Sequence, residues 1–198
     1  MKIHESAIVE DGVELGEGCE IAAFAVVKRG TVLGAGVKVD HHAVIGGDPQ
    51  DLSFDSTVES GVVIGSGTTI REGVTVHRST QPGGKTRVGD NCYLMACSHV
   101  GHDVVVGDRV VLANSVLLAG HVVVGDFAFL SGGGAFHQFV RVGEGVMVSG
   151  NARITMDVPP FIIAHERNKV SGLNLLGLKR RGFAREVIRD IKSVYKTV

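Results

Sequence analysis

The chain has no tryptophan, two tyrosines, four prolines and three cysteines. Nowhere does it run for the roughly 18–20 continuous apolar residues that a membrane-spanning helix requires. The cysteines, Cys19, Cys92 and Cys97, are spaced neither as a disulfide framework nor as a zinc knuckle. Charge of one sign is also missing: 20 Lys and Arg against 21 Asp and Glu give a net charge of -1, which argues against a nucleic-acid binder. The N-terminal stretch MKIHESAIVEDG lacks the apolar core of a secretory signal, so a cytoplasmic protein without a membrane span is expected. Disorder is excluded by an apolar content of 44% with so small a net charge. A length of 198 residues suits one or two domains with a sizeable core. What the chain holds in excess is glycine, 28 residues without collagen's every-third spacing.

A fixed period of six underlies the glycines. Ile3, Val9, Leu15, Ile21, Val27, Leu33, Val39 and Ile45 form an unbroken series, which resumes at Ile64, Ile70 and Val76. From Val88 it runs by sixes through Val100, Leu118 and Phe136 to Ile154, making 23 apolar positions on one comb. Smaller side chains precede many of them by two, as at Ala7, Cys19, Ala25 and Ala43. An amphipathic helix repeats at three and four residues instead. A short strand with two inward side chains, followed by a tight turn, produces six directly, because alternate residues of a strand share a face. Gly16, Gly34, Gly46, Gly65, Gly89, Gly107, Gly125 and Gly143 follow the apolar position directly, where glycine is expected to supply backbone angles that a Cβ obstructs. Three six-residue sides close a triangular coil, and stacked coils build a mainly β solenoid, a parallel β-helix.

Two interruptions and a tail punctuate the repeat. Ile45 and Ile64 stand 19 apart, one coil plus one residue, and GDPQDLSFDSTVES between them reads as a protruding loop. Val76 and Val88 stand 12 apart with Pro82 on the apolar register, which marks a second loop. Loops that leave a rigid scaffold are where binding residues collect. After Ile154 the prolines of DVPPF end the last coil, and Phe183, Val187, Ile188, Ile191, Val194 and Tyr195 fall at helical spacing. The chain thus divides into a β-helix domain, 1–164, with loops near 47–61 and 77–87, and a short helical segment, 165–198. That segment holds nine Lys and Arg against three acids, a net of +6, so the β-helix domain carries -7. The basic end suits an acidic or phosphorylated partner.

Four of the nine histidines gather in one stretch: His99, His102, His121 and His137. Steps of 18 carry His102 to Gly120 and then to Gln138, so these three stack in one column, with His121 and His137 one position to either side. Two coils span about 10 Å. Neutral imidazole is suited to taking a proton near neutral pH, and Asp103 beside His102 can fix its tautomer, as in a His-carboxylate dyad. The Gly120 N–H can approach a developing oxyanion without side-chain obstruction.

The six-residue comb resembles the hexapeptide-repeat acyltransferase superfamily, whose parallel β-helix is left-handed. The strings SHVGHD, LANSVLLAGHV, FHQFVRVGEGVMVSG, DVPPF and GLKRRGFAREVI, with PQDL in the first loop, are similar to the UDP-N-acetylglucosamine O-acyltransferase family of lipid A assembly. The resemblance implies transfer of a 3-hydroxyacyl group from acyl carrier protein to the glucosamine 3-hydroxyl of UDP-N-acetylglucosamine. It implies His102 as general base, Asp103 as its orienting partner and Gly120 as oxyanion donor. Asp51, His121 and Gln138 match sugar or acyl-chain contacts, His99 and His137 join the substrate-contacting set, and Gly150 matches the position that limits acyl depth. Asn174, Arg180 and Arg181 match the nucleotide end, where guanidinium groups suit a diphosphate. It further implies a homotrimer with sites between subunits, no metal, and no cofactor beyond the carrier protein's thioester.

This chain departs from the pattern in four places. Ser53 stands where the family carries lysine after Asp-Leu, Leu176 replaces an acid expected near the uracil, HERNKVSG is one residue shorter and more charged than the usual segment before GLN, and the chain reaches Val198 inside the first of several C-terminal helices. Two other readings are weighed beside this one: a sugar-nucleotide binder without turnover, and a zinc hydratase like the γ-class carbonic anhydrases with His99, His102 and His121 as ligands. Against the hydratase, His99 precedes an apolar register position and His102 follows it by two, and Gln138 and KRRGF would have no role there. The related N-acyltransferases carry an extra N-terminal domain, whereas the comb here begins at Ile3.

Overall fold

The computed structural model describes residues 1–196, so the expectation that Val198 lies inside a helix falls outside the described residues. The chain winds as a parallel β-helix with three sheets, and each of the 23 register residues lies in its own short strand. The first sheet holds ten strands, from Lys2–Ile3 to the pair Ile162–His165 and Lys169–Leu173. The second has eight, Ile8–Val9 to Arg153–Ile154, and the third seven, Glu14–Leu15 to Arg141–Val142. In the regular coils each strand pairs with its equivalent one full turn later, as in Val100 with Leu118 and Leu118 with Phe136. The register side chains fill the triangular interior from Cys19 to Ala164. At the open first coil Ile3 is 44% exposed, because no preceding coil covers it.

Both interruptions are insertions at one corner. Leu33 pairs with Ile64, where an unbroken coil would bring Asp51 beside it, so the whole first loop is inserted into a single side; the reading of one coil plus one is corrected. Ile64 in turn pairs with Val88 where an unbroken coil would bring Pro82, so the second loop is also an insertion, and Pro82 lies within it rather than on the register. The segment from 165 is likewise not helical throughout. His165 turns back through an antiparallel hairpin to Lys169–Leu173, after which come α1 (Leu175–Arg180) and α2 (Arg185–Val194). Ile188 of α2 is buried, and the Tyr195 hydroxyl donates to the Pro160 carbonyl at 2.6 Å. No helix among the described residues is long and apolar enough to cross a membrane.

The glycines after the register positions serve another purpose than the one expected. Of those eight only Gly46 has a positive φ; the left-handed corner falls two residues later and is filled by residues such as Asn91, Asp103, Arg109 and His121. The directly following glycines are sites of close approach. A Cβ on Gly65 would lie 2.4 Å from the Gly89 carbonyl carbon and 2.6 Å from the Asp90 nitrogen. The space is used by an aspartate of the next coil: Ser66 N–H donates to Asp90 Oδ1 at 2.7 Å, Asp90 N–H to Asp108 at 2.8 Å, and Asp108 N–H to Asp126 at 2.9 Å. We therefore expect Gly65→Ala to cost about 2 kcal/mol through overpacking. Gly150→Ala, whose Cβ would meet only the Gly132 carbonyl at 3.4 Å, should stay within about 0.5 kcal/mol. Urea denaturation of the two variants measures both, and equal losses would remove close approach as the reason for these glycines.

Candidate active site

The outer face of the second sheet and the corner leading out of it form an open groove of about 810 Å³. His102, Gly120 and Gln138 stand at equivalent corner positions of three successive coils: the His121 N–H donates to the His102 carbonyl at 3.0 Å and the Phe139 N–H to the Gly120 carbonyl at 3.2 Å. The column inferred from steps of 18 is therefore present.

His102 and Asp103 form a dyad. His102 Nδ1 lies 2.9 Å from Asp103 Oδ2, so the ring donates from Nδ1 and keeps its lone pair on Nε2. The ring rests over bare backbone: a Cβ on Gly120 would lie 2.5 Å from both Cε1 and Nε2. The Gly120 N–H donates to no group among the described residues. Asp103 occupies the left-handed corner with φ 59°. Ser79 Oγ donates to its Oδ1, while the Thr80 N–H at 3.1 Å and hydroxyl at 2.7 Å donate to Oδ2. Its own N–H donates to Thr86 Oγ1 at 2.9 Å. Burial alone would push this carboxyl up, but the hydrogen bonds from Ser79, Thr80 and His102 outweigh it and bring the pKa down to about 2. Ser79 and Thr80 belong to the second insertion, which the sequence marks only as a loop.

His121 stands in the next corner, its ring 5.1 Å from that of His102, edge to face, and stacked on Phe139 at 4.6 Å. Its Nε2 is 3.9 Å from Asp103 Oδ2. His137 and Gln138 are exposed at the groove, with His137 Nδ1 3.2 Å from the Gln138 carbonyl. His99 faces the same groove with Nδ1 2.7 Å from Thr75 Oγ1, and its ring meets that of His77 at 4.7 Å. Burial lowers the pKa of His99, with His102 adding to the shift. The zinc set of His99, His102 and His121 is not assembled: the ligand atoms within 4.8 Å of one another are those of His102, Asp103 and His121. His77 is a groove residue that sequence reasoning missed. It follows Val76 as His137 follows Phe136, a signal obscured by the insertion.

The remaining predicted residues are not among those that line the groove. Asp51 in the first loop accepts hydrogen bonds from the Ser53 N–H at 2.9 Å and hydroxyl at 2.8 Å. These bonds lower its pKa, and the nearby His102 adds to the effect. Arg78 pins that loop: it pairs with Asp48 at 2.8 Å, donates to the Ser56 carbonyl at 2.9 Å and covers the Phe54 ring at 4.8 Å. Gly150 is exposed at the corner by which the chain enters the second sheet, outside the residues that line the groove. Asn174, Arg180 and Arg181 are not brought to His102 within one chain. Asn174 caps α1, accepting from the Gly177 N–H at 2.9 Å and donating to the Gly145 carbonyl at 3.1 Å. Arg181 pairs with Glu144 and lies 3.9 Å from the Phe127 ring centre, whereas Arg180 is exposed.

The depressed pKa of Asp103 ties stability to pH. The ionised carboxylate contributes on the order of 2 kcal/mol above the ordinary Asp pKa, and this is lost as pH falls toward the folded value. Asp103→Asn should therefore be less stable than the parent at pH 7, with the difference shrinking between about pH 4 and pH 2. Urea midpoints across that range measure it, and a pH-independent difference would remove the ionised dyad.

Residues 157–198 match the family model described as Udp N-acetylglucosamine O-acyltransferase, Domain 2, and residues 85–120 match the bacterial transferase hexapeptide model of six repeats. The acyl-(acyl-carrier-protein):UDP-N-acetylglucosamine O-acyltransferase of Campylobacter concisus is 41% identical over 98% of this chain and 81% of its own. That of Sinorhizobium fredii is 41% identical over 100% of this chain and 80% of its own. The crystal structure of the UDP-N-acetylglucosamine acyltransferase from Bacteroides fragilis superposes with a TM-score of 0.89 at 38% identity, covering 98% of this chain and 83% of that one. The solenoid is the left-handed parallel β-helix of these enzymes. With its hexapeptide coils, its His-Asp dyad and this extent of similarity, the chain belongs to the UDP-N-acetylglucosamine O-acyltransferase family.

Proposed function

We propose that the chain transfers a 3-hydroxyacyl group from acyl carrier protein to the 3-hydroxyl of UDP-N-acetylglucosamine, the first step of lipid A biosynthesis. The observation that carries the mechanism is His102 itself, held through Nδ1 by an ionised Asp103 with Nε2 over a bare Gly120. Nε2 takes the proton of the sugar 3-hydroxyl as its oxygen attacks the thioester carbonyl. The carbonyl oxygen becomes an oxyanion within reach of the unpaired Gly120 N–H. The tetrahedral centre collapses, the C–S bond breaks, and the departing sulfur takes the proton from the imidazolium. Asp103 stays ionised throughout and stabilises the charged ring between the two transfers.

Asp51, His99, His121, His137 and Gln138 contact the sugar or acyl chain in this reading, and Gly150 leaves the far end of the acyl path open. Asn174, Arg180 and Arg181 hold the nucleotide from a neighbouring copy in a homotrimer. Exposed apolar side chains on all three faces, Leu117 at 48%, Phe129 at 40% and Val105 at 40%, support such an assembly. The reaction needs no metal or organic cofactor besides the carrier's thioester, and it runs in the cytoplasm. The basic 165–198 segment, net +6, suits an acidic carrier.

Mass spectrometry of products from UDP-N-acetylglucosamine and a mixture of 3-hydroxyacyl carrier proteins tests activity and chain length together, with fragmentation giving the acylated position. His102→Ala should lower turnover about 10²–10⁴-fold, the usual contribution of a general base. Wild-type protein that binds the sugar nucleotide yet acylates nothing would leave a binding module, and a His102→Ala variant near wild-type rate would end the base assignment.

A further inference from the structure

His77 is a buried imidazole that the reaction above does not use. It ends the strand Thr75–His77, directly after the register residue Val76, on the coil preceding His102. Its residue is only 8% exposed, yet it lines the groove beside Gln50, Thr75, His99 and His102. The ring makes no hydrogen bond among the described residues, and Nδ1 is fully buried without a partner. Thr75 Oγ1, two residues earlier on the strand, is already engaged by His99.

The backbone is bent to put the ring there. Along the neighbouring strand Val76 pairs with Ile45, but His77 pairs with Gly47, so the register skips Gly46. Gly46 has φ 86°, and the extra residue is a β-bulge. A regular pairing would set His77 against Gly46; the bulge sets it against Gly47, where a Cβ would lie 3.5 Å from His77 Cδ2. A bulge of this kind re-aims one side chain, and such bulges gather beside active sites. For packing alone the position would be better served by leucine, because an unsatisfied buried polar group costs about 1–3 kcal/mol. A native structure that retains a buried polar ring with Nδ1 orphaned calls for an explanation, and one is offered by the open groove: Nε2, also without a partner but not fully buried, is the nitrogen that can meet a ligand there.

We propose that His77 is a further substrate-contacting residue, whose ring hydrogen-bonds an uncharged hydroxyl or amide group of a substrate lying in the groove on the side of His102 away from Gly150. The uncharged class follows from the state of the ring. Burial, with His99 and His102 nearby, pushes the His77 pKa down to about 4, so at neutral pH it offers one N–H and one lone pair and no charge. Phosphate or carboxylate would call for imidazolium; hydroxyl and amide groups accept and donate as neutral imidazole does. Two substrates carry them there: the acceptor sugar, with its hydroxyls and acetamido group, and the amide-bearing arm that presents the thioester.

This inference rests on the acyl-transfer reading, which wild-type turnover tests separately. The discriminating variants are His77→Leu and His77→Asn, followed by KM for sugar nucleotide and for acyl carrier substrate, kcat, the thermal midpoint, and calorimetric affinity for UDP-N-acetylglucosamine without donor. For His77→Leu we expect one KM to rise about tenfold, with kcat changed less and the midpoint unchanged or higher, because the orphaned nitrogen is gone. His77→Asn, which keeps a donor and an acceptor, should recover part of the loss. A rise for the sugar nucleotide, matched by weaker calorimetric binding, assigns the contact to the acceptor; a rise for the carrier substrate assigns it to the arm. Both KM values within about twofold of wild type, or a loss that tracks a fall in midpoint, would make His77 a packing residue and overturn the proposal. Turnover absent from wild type itself would overturn the acyl-transfer reading and this inference with it.

Discussion

Backbone pairing between successive coils is the constraint on which everything else depends. Strands of a parallel sheet stand about 4.8 Å apart, and a closed coil must keep that spacing on all three sides at once. The corners are where it is hardest to keep, because there the chain turns within a few residues while still stacked on its neighbours. Glycine at positions such as Gly65 lets the backbones approach, and the carboxylates of Asp90, Asp108 and Asp126 take up N–H groups that the turning chain would otherwise leave unpaired. The acidic character of the solenoid is thus partly a product of its corners.

The site uses the same geometry for another end. At the corner leaving the second sheet, the next-coil contact at the equivalent position is the His102 ring lying on Gly120. Coil stacking fixes the ring from below, Asp103 fixes it from the side, and the second insertion fixes Asp103. Dyad orientation therefore depends on the inserted segment as well as on the coil stack. It relies on three hydroxyls, of Ser79, Thr80 and Thr86, that converge on one residue.

The solenoid was legible because its period is set by alternation and turning, both local properties, and 23 register residues carried it through two gaps. The column of His102, Gly120 and Gln138 followed from arithmetic alone. Three things did not follow. The coil count through the first gap depends on which strands pair, so the spacing from Ile45 to Ile64 could be divided in more than one way. The glycine after each register residue carries no mark that tells close approach from unusual φ. His77 was hidden because its place in the groove depends on the second insertion and on a bulge at Gly46, neither of which has a periodic signature. Arg181 exposes a fourth limit: its guanidinium pairs with Glu144 through Nη2 and lies over Phe127, which two successive coils far back in the chain supply, while Nη1 is buried without a partner.

The second insertion has a wider meaning. From 77 to 84 the chain leaves the regular coil, and in that span Arg78 anchors the first loop while Ser79 and Thr80 hold Asp103. Trimming the inserted stretch would give a more regular repeat. It would also erase the support of the dyad. A regular coil can stack on its neighbours anywhere along the solenoid, yet at this corner the departure from the repeat is what holds the dyad, and regularity would be the lesion.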